Sequence, residues 1–158
     1  KDDLFLAVLE RTYAQIRGAE GALDLEALAP GEAMRRLVAF TWGYFVEHPE
    51  FVSLVNSENL HRAEHLARSR SVRALHHPLV ERIRDVLARG AASGELRAGV
   101  DPVQLYISIA ALGYFYLSNA HTLGAVFGRD LLSPRQRAAR LRHVQEVVAG
   151  YLRPEAGA

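Results

Sequence analysis

Apolar residues recur along this chain every three or four positions, the spacing of amphipathic helices. The first stretch predicts a helix over residues 2–17 that stops at Gly18, followed by a loop over 19–30. The second predicts a helix over 31–47, which His48-Pro49 separates from a third over 49–67. No stretch has the turn-bounded alternation of paired strands, so we expect an all-α bundle of about six helices in one domain, residues 1–158.

The later helices have clearer boundaries. A Ser/Arg-rich stretch at 68–71 precedes a fourth helix, in which Pro78 marks either the first turn or a kink. Asp101-Pro102 and Ser133-Pro134 are helix starts, each a capping residue followed by a proline, and Gln136 completes a possible capping box with Ser133. We therefore expect the fifth and sixth helices to begin at these two prolines.

Residues 102–128 contain no Asp, Glu, Lys or Arg. A helix of this length would reach about 40 Å, enough to cross a membrane. Polar residues such as Gln104, Asn119 and His121 interrupt the apolar run, and no basic clusters flank it, so a membrane span is rejected. The pattern instead predicts one helix that is covered on nearly every side.

To cover the helix predicted over 102–128 on nearly every side requires more helices than a chain of this size offers. A second copy that supplies the same two last helices would form a four-helix bundle across a two-fold axis. The alternative is a monomer whose other helices wrap around the fifth. The homodimer interface that we predict consists of Leu112, Tyr116, Asn119, Leu123, Leu141, Val144 and Val148.

Composition narrows the classes of function. The formal net charge is +1, which gives no overall basic field for DNA or an anionic membrane. The absence of cysteine excludes disulfides and thiolate chemistry. Two arginine clusters, in 68–73 and 135–142, are interpreted as solvated faces because no stacking aromatics accompany them. No secretory leader is recognisable, and we expect a cytoplasmic protein.

Three segments resemble a known family. The opening KDDLFLAVLERTYAQI is similar to the segment that follows the helix-turn-helix in TetR-type transcription regulators, with Lys1, Asp3 and Leu4 at matching positions. FVSLVNSENLHRAEHL and DPVQLYISIAALGYFYLSNAHTL look like the third and fifth helices of a TetR C-terminal-domain subgroup that includes pyrimidine-catabolism regulators. The resemblance implies a dimeric sensor whose small-molecule effector changes the spacing of two DNA-binding heads.

The helix-turn-helix of that family is not recognisable in this sequence. We expect it upstream of residue 1, so that operator DNA is contacted only through that domain and by no residue of this chain. A natural truncation is the alternative.

A ligand cavity between the helices is the first candidate site, since such pockets are mainly apolar with a few polar groups that orient the ligand. We expect Glu58 and Asn59 to orient the ligand, and Arg62, one turn on, to be the partner that a buried Glu58 needs. The alternative is that the same residues simply form the core. The predicted ligand-binding set is Trp42, Phe45, Val55, Glu58, Asn59, Ile83, Tyr106, Ala110 and Tyr114.

Other functions have weaker support. Glu58, His61 and His65 share a helix face, but a di-iron bundle needs a second Glu-x-x-His motif, and His76-His77 or His121 could join only through the fold. No nucleophile elbow, phosphate loop or zinc-protease motif is present. We therefore predict a protein that is not an enzyme and has no metal or cofactor. A dimerisation module without an effector and a helical-bundle metalloprotein remain alternatives.

Overall fold

A computed structural model describes residues 2–154, apart from the side chains at positions 73 and 75–77, so that Lys1, His76 and His77 lie outside the described side chains. All regular secondary structure in this part of the chain is helical, which confirms the predicted all-α class. Within residues 2–154, eight helices replace the predicted six because two of the predicted helices are broken. They are α1 (Asp2–Gly21), α2 (Pro30–Glu47), α3 (Pro49–Leu60), α4 (Glu64–Arg68), α5 (Arg70–Ser93), α6 (Pro102–Ser118), α7 (Ala120–Phe127) and α8 (Pro134–Leu152).

Proline stands at the start of four helices, α2, α3, α6 and α8, where its missing N–H removes no helical hydrogen bond. The carboxylate of Asp101 caps α6 by accepting from the amides of Val103 (2.7 Å) and Gln104 (3.0 Å). The capping box predicted at Ser133 does not form, because the Ser133 hydroxyl donates to the carbonyl of Asp130 instead (2.8 Å).

The first helix continues past Gly18 to Gly21, so the predicted stop at Gly18 is wrong. The end of the helix is stabilised from α5, where the Arg82 guanidinium donates to the carbonyls of Glu20 (2.9 Å) and Leu23. These bonds satisfy carbonyls that the end of a helix leaves without partners. The predicted loop is accordingly shorter and runs over residues 22–29.

The predicted helix over 49–67 breaks after Leu60. Arg62 and Ala63 adopt left-handed backbone conformations (φ 55° and 59°), which turn the chain before α4. Farther along, the Ser69 hydroxyl accepts from the amide of Val72 (3.1 Å) and caps α5, so that this helix starts at Arg70 and contains Pro78 in its interior.

The long apolar helix predicted over 102–128 is also divided in two. At the break, the Asn119 side-chain amide donates to the carbonyl of Phe115 (2.9 Å), which is a local side-chain bond that competes with helix continuation. Gly128 (φ 61°) then ends α7. Among the described residues, no helix is long and apolar enough for a membrane span.

Two clusters of buried side chains form the core. The larger cluster joins α2, α5, α6 and α8, and Ile83 and Leu37 are almost fully buried in it. The smaller joins the second half of α1 to α2 and α3 through Ile16, Phe45 and Phe51. The helix α6 therefore packs against both clusters, and side chains between α1 and α6 lie at the boundary of the two.

Candidate functional site

A buried ion pair lies at the end of α1. The side chains of Arg17 and Glu20 are only 5% and 2% exposed, and Arg17 Nη1 is 2.7 Å from Glu20 Oε2. Despite that distance, Arg17 Nε and Nη1 and both carboxylate oxygens of Glu20 lack a partner with hydrogen-bond geometry in the part of the chain that the structure describes. Arg17 Nη1 and Glu20 Oε2 still attract each other as an ion pair, whereas Arg17 Nε and Glu20 Oε1 lie outside that contact. A buried polar atom without a partner costs about 1–3 kcal/mol and calls for an explanation.

Two further side chains complete this group. Arg17 Nη2 donates to the Tyr106 hydroxyl on α6 (3.0 Å), and the guanidinium carbon lies 5.4 Å from the centre of the Tyr106 ring. Arg82 binds the Glu20 main chain from α5. We call Arg17, Glu20, Arg82 and Tyr106 the polar cluster. It connects α1, α5 and α6.

Burial raises the pKa of Glu20 to about 7, against the opposing effect of the nearby Arg17 and Arg82 guanidinium groups. Desolvation also raises the pKa of Tyr106. Tyr13, close by on α1, has its pKa raised to about 12 for the same reason. Charge is therefore costly in this region, and the carboxyl group of Glu20 is poised near neutral pH.

The raised pKa of Glu20 should make the free energy of unfolding depend on pH. Between about pH 4.5 and pH 7 the native Glu20 keeps a proton that the unfolded chain has lost, so the free energy of unfolding falls by about 3 kcal/mol as the pH rises. In Glu20→Gln we expect that decline to disappear, and urea denaturation of both proteins across this range measures it. Glu26→Gln, a change of the same kind at an exposed position, should behave as the wild type. Parallel profiles for the wild type and Glu20→Gln would contradict the assignment.

A cleft of about 1230 Å³ between α1 and α5 reaches the polar cluster. Arg17, Glu20 and Arg82 line its wall together with apolar residues such as Ala14 and Leu79. The volume exceeds the usual 300–1,000 Å³ of a ligand pocket, so a small molecule would fill only part of it.

The structure brings part of the predicted ligand set together elsewhere. Phe45, Val55, Ala110 and Tyr114 all belong to the smaller core cluster. Ile83 is buried in the larger cluster instead, so it is not beside them. Of the nine predicted residues, Tyr106 alone belongs to the polar cluster.

Trp42 fills space against α6. Its ring meets Tyr116 edge-on at 5.6 Å, and a β-carbon added at Gly113 would lie 3.6 Å from Trp42 and 3.3 Å from Phe45. Gly113 thus lets two large aromatic rings pack close to α6, and the side chains themselves occupy this region.

Glu58 binds the start of α4. Its buried carboxylate accepts from the amides of His65 (2.9 Å) and Leu66 (2.8 Å), and its other oxygen is 2.8 Å from His65 Nδ1. Burial raises the pKa of Glu58, but these hydrogen bonds outweigh it and hold the pKa below its usual value. The prediction that Arg62 is the partner of Glu58 is therefore wrong. Asn59, which the sequence places beside the ligand, is exposed.

The histidines near Glu58 are engaged separately. His61 Nδ1 is 2.7 Å from the carbonyl of Ser57, whereas His65 faces Glu58 and meets Phe5 edge-on at 4.8 Å. Within the described side chains, no group of three His, Asp or Glu residues is arranged to hold a metal ion.

The predicted interface residues lie mostly within the protomer. Val144 and Val148 are buried in the larger core cluster, and Leu112 and Leu141 are partly buried against it. The Tyr116 hydroxyl donates to the carbonyl of Leu131 (2.9 Å), Asn119 caps the end of α6, and Leu123 is half-buried on α7.

The exposed apolar side chains instead follow a neighbouring line on α6, four residues apart, and continue on α8. Ile107 is 50% and Phe115 is 57% exposed. Because α6 contains no charged residue and few polar ones, it has no polar side from which the exposed line could be identified in advance. We call this surface the α6–α8 face; it consists of Val103, Ile107, Ala111, Phe115, Val147 and Tyr151.

Three residues of the polar cluster, Arg17, Glu20 and Arg82, were not among the predicted site residues. Arg17 and Glu20 stand three residues apart, the spacing of a helical ion pair, but the early stop predicted at Gly18 left Glu20 in a loop. Nothing local to Arg82 indicates that it binds α1.

Comparisons with known proteins identify the family of this chain. Residues 30–148 match the family described as "Tetracyclin repressor-like, C-terminal domain". The chain is 39% identical over 153 residues to the HTH-type transcriptional repressor NicS of Pseudomonas putida, an alignment that covers 97% of this chain and 72% of that protein. This chain therefore belongs to the tetracyclin repressor-like (TetR) family of transcriptional regulators, and it carries that family's C-terminal regulatory domain.

Proposed function

We propose that this chain is the effector-sensing and dimerisation domain of a DNA-binding repressor, and that a small molecule bound at the polar cluster alters operator binding. The observation that carries the proposal is the set of buried polar atoms on Arg17 and Glu20 without hydrogen-bond partners among the described residues, beside an open cleft. A ligand that supplied those partners would be favoured by the desolvation that the protein has already undergone.

The position of the polar cluster on α1 links it to DNA binding. We expect a helix-turn-helix domain before residue 1, since the relative NicS is named an HTH-type repressor and is longer than this alignment. An effector changes operator affinity only if it binds one position of α1 more tightly than another. Arg17, which contacts both Glu20 and Tyr106, ties the end of α1 to α6 and would be the group that a ligand redirects.

The cleft also limits the chemistry of the effector. Its wall joins apolar residues such as Ala14 and Leu79 to the guanidinium groups of Arg17 and Arg82, and Glu10 and Asp24 also line it. The Tyr106 hydroxyl lies behind this wall, where it accepts from Arg17. A compact molecule with one or two polar groups fits this combination. We expect such a regulator to act in the cytoplasm, without a catalytic role or a cofactor.

Homodimerisation through the α6–α8 face is part of the proposal. Contiguous exposed apolar surface of this kind marks interfaces in proteins. A groove of about 400 Å³ lies between the two helices, lined mainly by apolar side chains that include Leu105, Ala111 and Tyr151. A two-fold axis through this face would let each copy cover the other's exposed residues.

A dimerisation module without an effector is the second candidate. The packing of Trp42 and Phe45 onto Gly113 favours it, because side chains occupy the interior region in which the sequence predicts a ligand.

A thermal-shift screen of small metabolites distinguishes the two. A ligand at 100 times its Kd stabilises the native state by about 2.7 kcal/mol, which is about 5–11 °C in Tm for a domain of this size. For a hit, we expect Tyr106→Phe to bind it roughly two- to tenfold more weakly, because this variant lacks the hydroxyl that holds the Arg17 guanidinium in place.

Tyr116→Phe is the matched control, since it removes a hydrogen-bonded hydroxyl from the same helix outside the polar cluster. Equal weakening in both variants would count against a site at the polar cluster. A screen without any stabilising molecule would favour the dimerisation module.

A further inference from the structure

A second cavity, of about 420 Å³, lies between α2, α3 and α6, near the start of α8. It shares no lining residue with the cleft between α1 and α5. Its volume is within the usual range of small-molecule sites. The two cavities are therefore separate candidates, and a ligand in the second one is independent of an effector at the polar cluster.

The charged side chain that lines this cavity is positive, and no acidic side chain among the described residues lines it. Arg137 is the only Asp, Glu, Lys or Arg among the described residues that line it. The Arg137 guanidinium forms no ion pair or hydrogen bond with the described side chains, whereas Arg17 and Arg140 are engaged with carboxylate, hydroxyl or carbonyl groups. His121 stands on the rim. An anion would meet attraction here and no opposing carboxylate.

A fixed amide adds a second donor. The Oδ1 atom of Asn56 accepts the hydroxyl of Tyr114, and this bond sets the orientation of the amide. The Nδ2 atom of Asn56 then has no partner among the described residues, although Asn56 lines the cavity. Asn56 on α3 and Arg137 on α8 thus provide N–H donors from two sides of one space.

The rest of the wall is apolar. Phe45 and Val52 are 5% and 6% exposed, and Leu117 lies partly buried beside them. A strongly hydrated, multiply charged anion gains nothing from such a wall, because it would lose water without compensation. A singly charged group attached to a compact apolar body matches both parts of the cavity.

We propose that this cavity binds a small monocarboxylate with a compact apolar body, such as an aryl or branched acyl acid. The carboxylate pairs with the guanidinium of Arg137, for which a two-pronged arrangement is the favoured geometry, and accepts from Nδ2 of Asn56. The apolar body packs on Phe45, Val52 and Leu117.

Benzoate and its neutral analogue benzamide are probes for this site in the full protein. Titration calorimetry should give benzoate binding that is at least about tenfold weaker in Arg137→Gln, because a charge-assisted bond is lost. Benzamide should bind the wild type at least about tenfold more weakly than benzoate does, since it carries no charge to pair with the guanidinium. In NMR spectra, benzoate should shift the signals of the Leu117 methyl groups and the Phe45 ring.

Arg135→Gln is the matched control, because Arg135 lies on the same turn of α8 but does not line the cavity. We expect benzoate affinity to be unchanged in Arg135→Gln and in Tyr106→Phe. No benzoate binding, equal affinity for benzoate and benzamide, or equal losses in Arg137→Gln and Arg135→Gln would overturn the proposal. Benzoate binding lost in Tyr106→Phe and kept in Arg137→Gln would assign the ligand to the polar cluster instead. Inorganic phosphate that binds as tightly as benzoate would show a general anion site and would also overturn it.

Discussion

The Ile107→Glu variant is expected to be a monomer at concentrations at which the wild-type protein is a dimer. Ile107 is 50% exposed at the α6–α8 face, and a two-fold interface would bury two copies of the new carboxylate. An unpaired charge that is buried at an interface costs several kcal/mol, so the Kd of the dimer should rise by at least about a hundredfold. Sedimentation velocity over a range of protein concentrations measures this change.

Leu60→Glu is the matched control, since Leu60 is also an apolar side chain, is 84% exposed, and lies at the end of α3 rather than on α6 or α8. We expect it to sediment as the wild type does. If Ile107→Glu and the wild type have the same mass at every concentration, the α6–α8 face is not the interface.

Glu58→Ala should cause the largest loss of stability that we expect from one exchange of a charged residue. It removes the acceptor of two partly buried main-chain amides, of His65 and Leu66, and of the His65 ring. An amide that loses its buried acceptor costs about 1–3 kcal/mol, so we expect a loss of about 3 kcal/mol, or roughly 6–12 °C in Tm. Thermal unfolding followed by circular dichroism measures it.

Glu64→Ala tests whether the effect belongs to the position or to the charge, because Glu64 is exposed in the first turn of α4. It should lose only a few tenths of a kcal/mol from its interaction with the helix dipole.

The contribution of Glu58 to stability should also depend on pH. The pKa of Glu58 is lowered in the native state, so the stability that it contributes is complete above about pH 4.5 and is lost as the pH falls. Equal Tm values for the wild type and Glu58→Ala would refute this role of Glu58.

The helix starts could be predicted because their causes are local. Pro30, Pro49, Pro102 and Pro134 each begin a helix, and a proline at that position carries its own signal. The breaks within helices have causes that lie farther apart. The turn at Arg62 and Ala63 depends on the Glu58 carboxylate reaching the amides at the start of α4, and no pattern of apolar residues reports such a bond.

The candidate sites were harder to predict for a related reason. Helical periodicity identifies buried positions, and Phe45, Ala110 and Tyr114 do lie together in one cluster. Periodicity does not separate a residue that lines a cavity from one that fills the core. The polar cluster depends on Arg82 reaching α1 across 62 positions of the chain, a contact that only the folded protein reveals.

The length of α1 has a mechanical consequence. Asp2 lies 18 residues before Glu20 on the same helix, so the two are separated by about 27 Å along its axis. A tilt of only about 5° around the polar cluster would move the start of α1 by about 2.4 Å over that distance. The Glu10 carboxylate, which accepts from the hydroxyls of Ser69 (2.6 Å) and Ser71 (2.8 Å), sits roughly midway and would resist the tilt. In the proposed mechanism, an effector that tilts α1 would therefore have to work against the hydrogen bonds between Glu10 and the two serine hydroxyls.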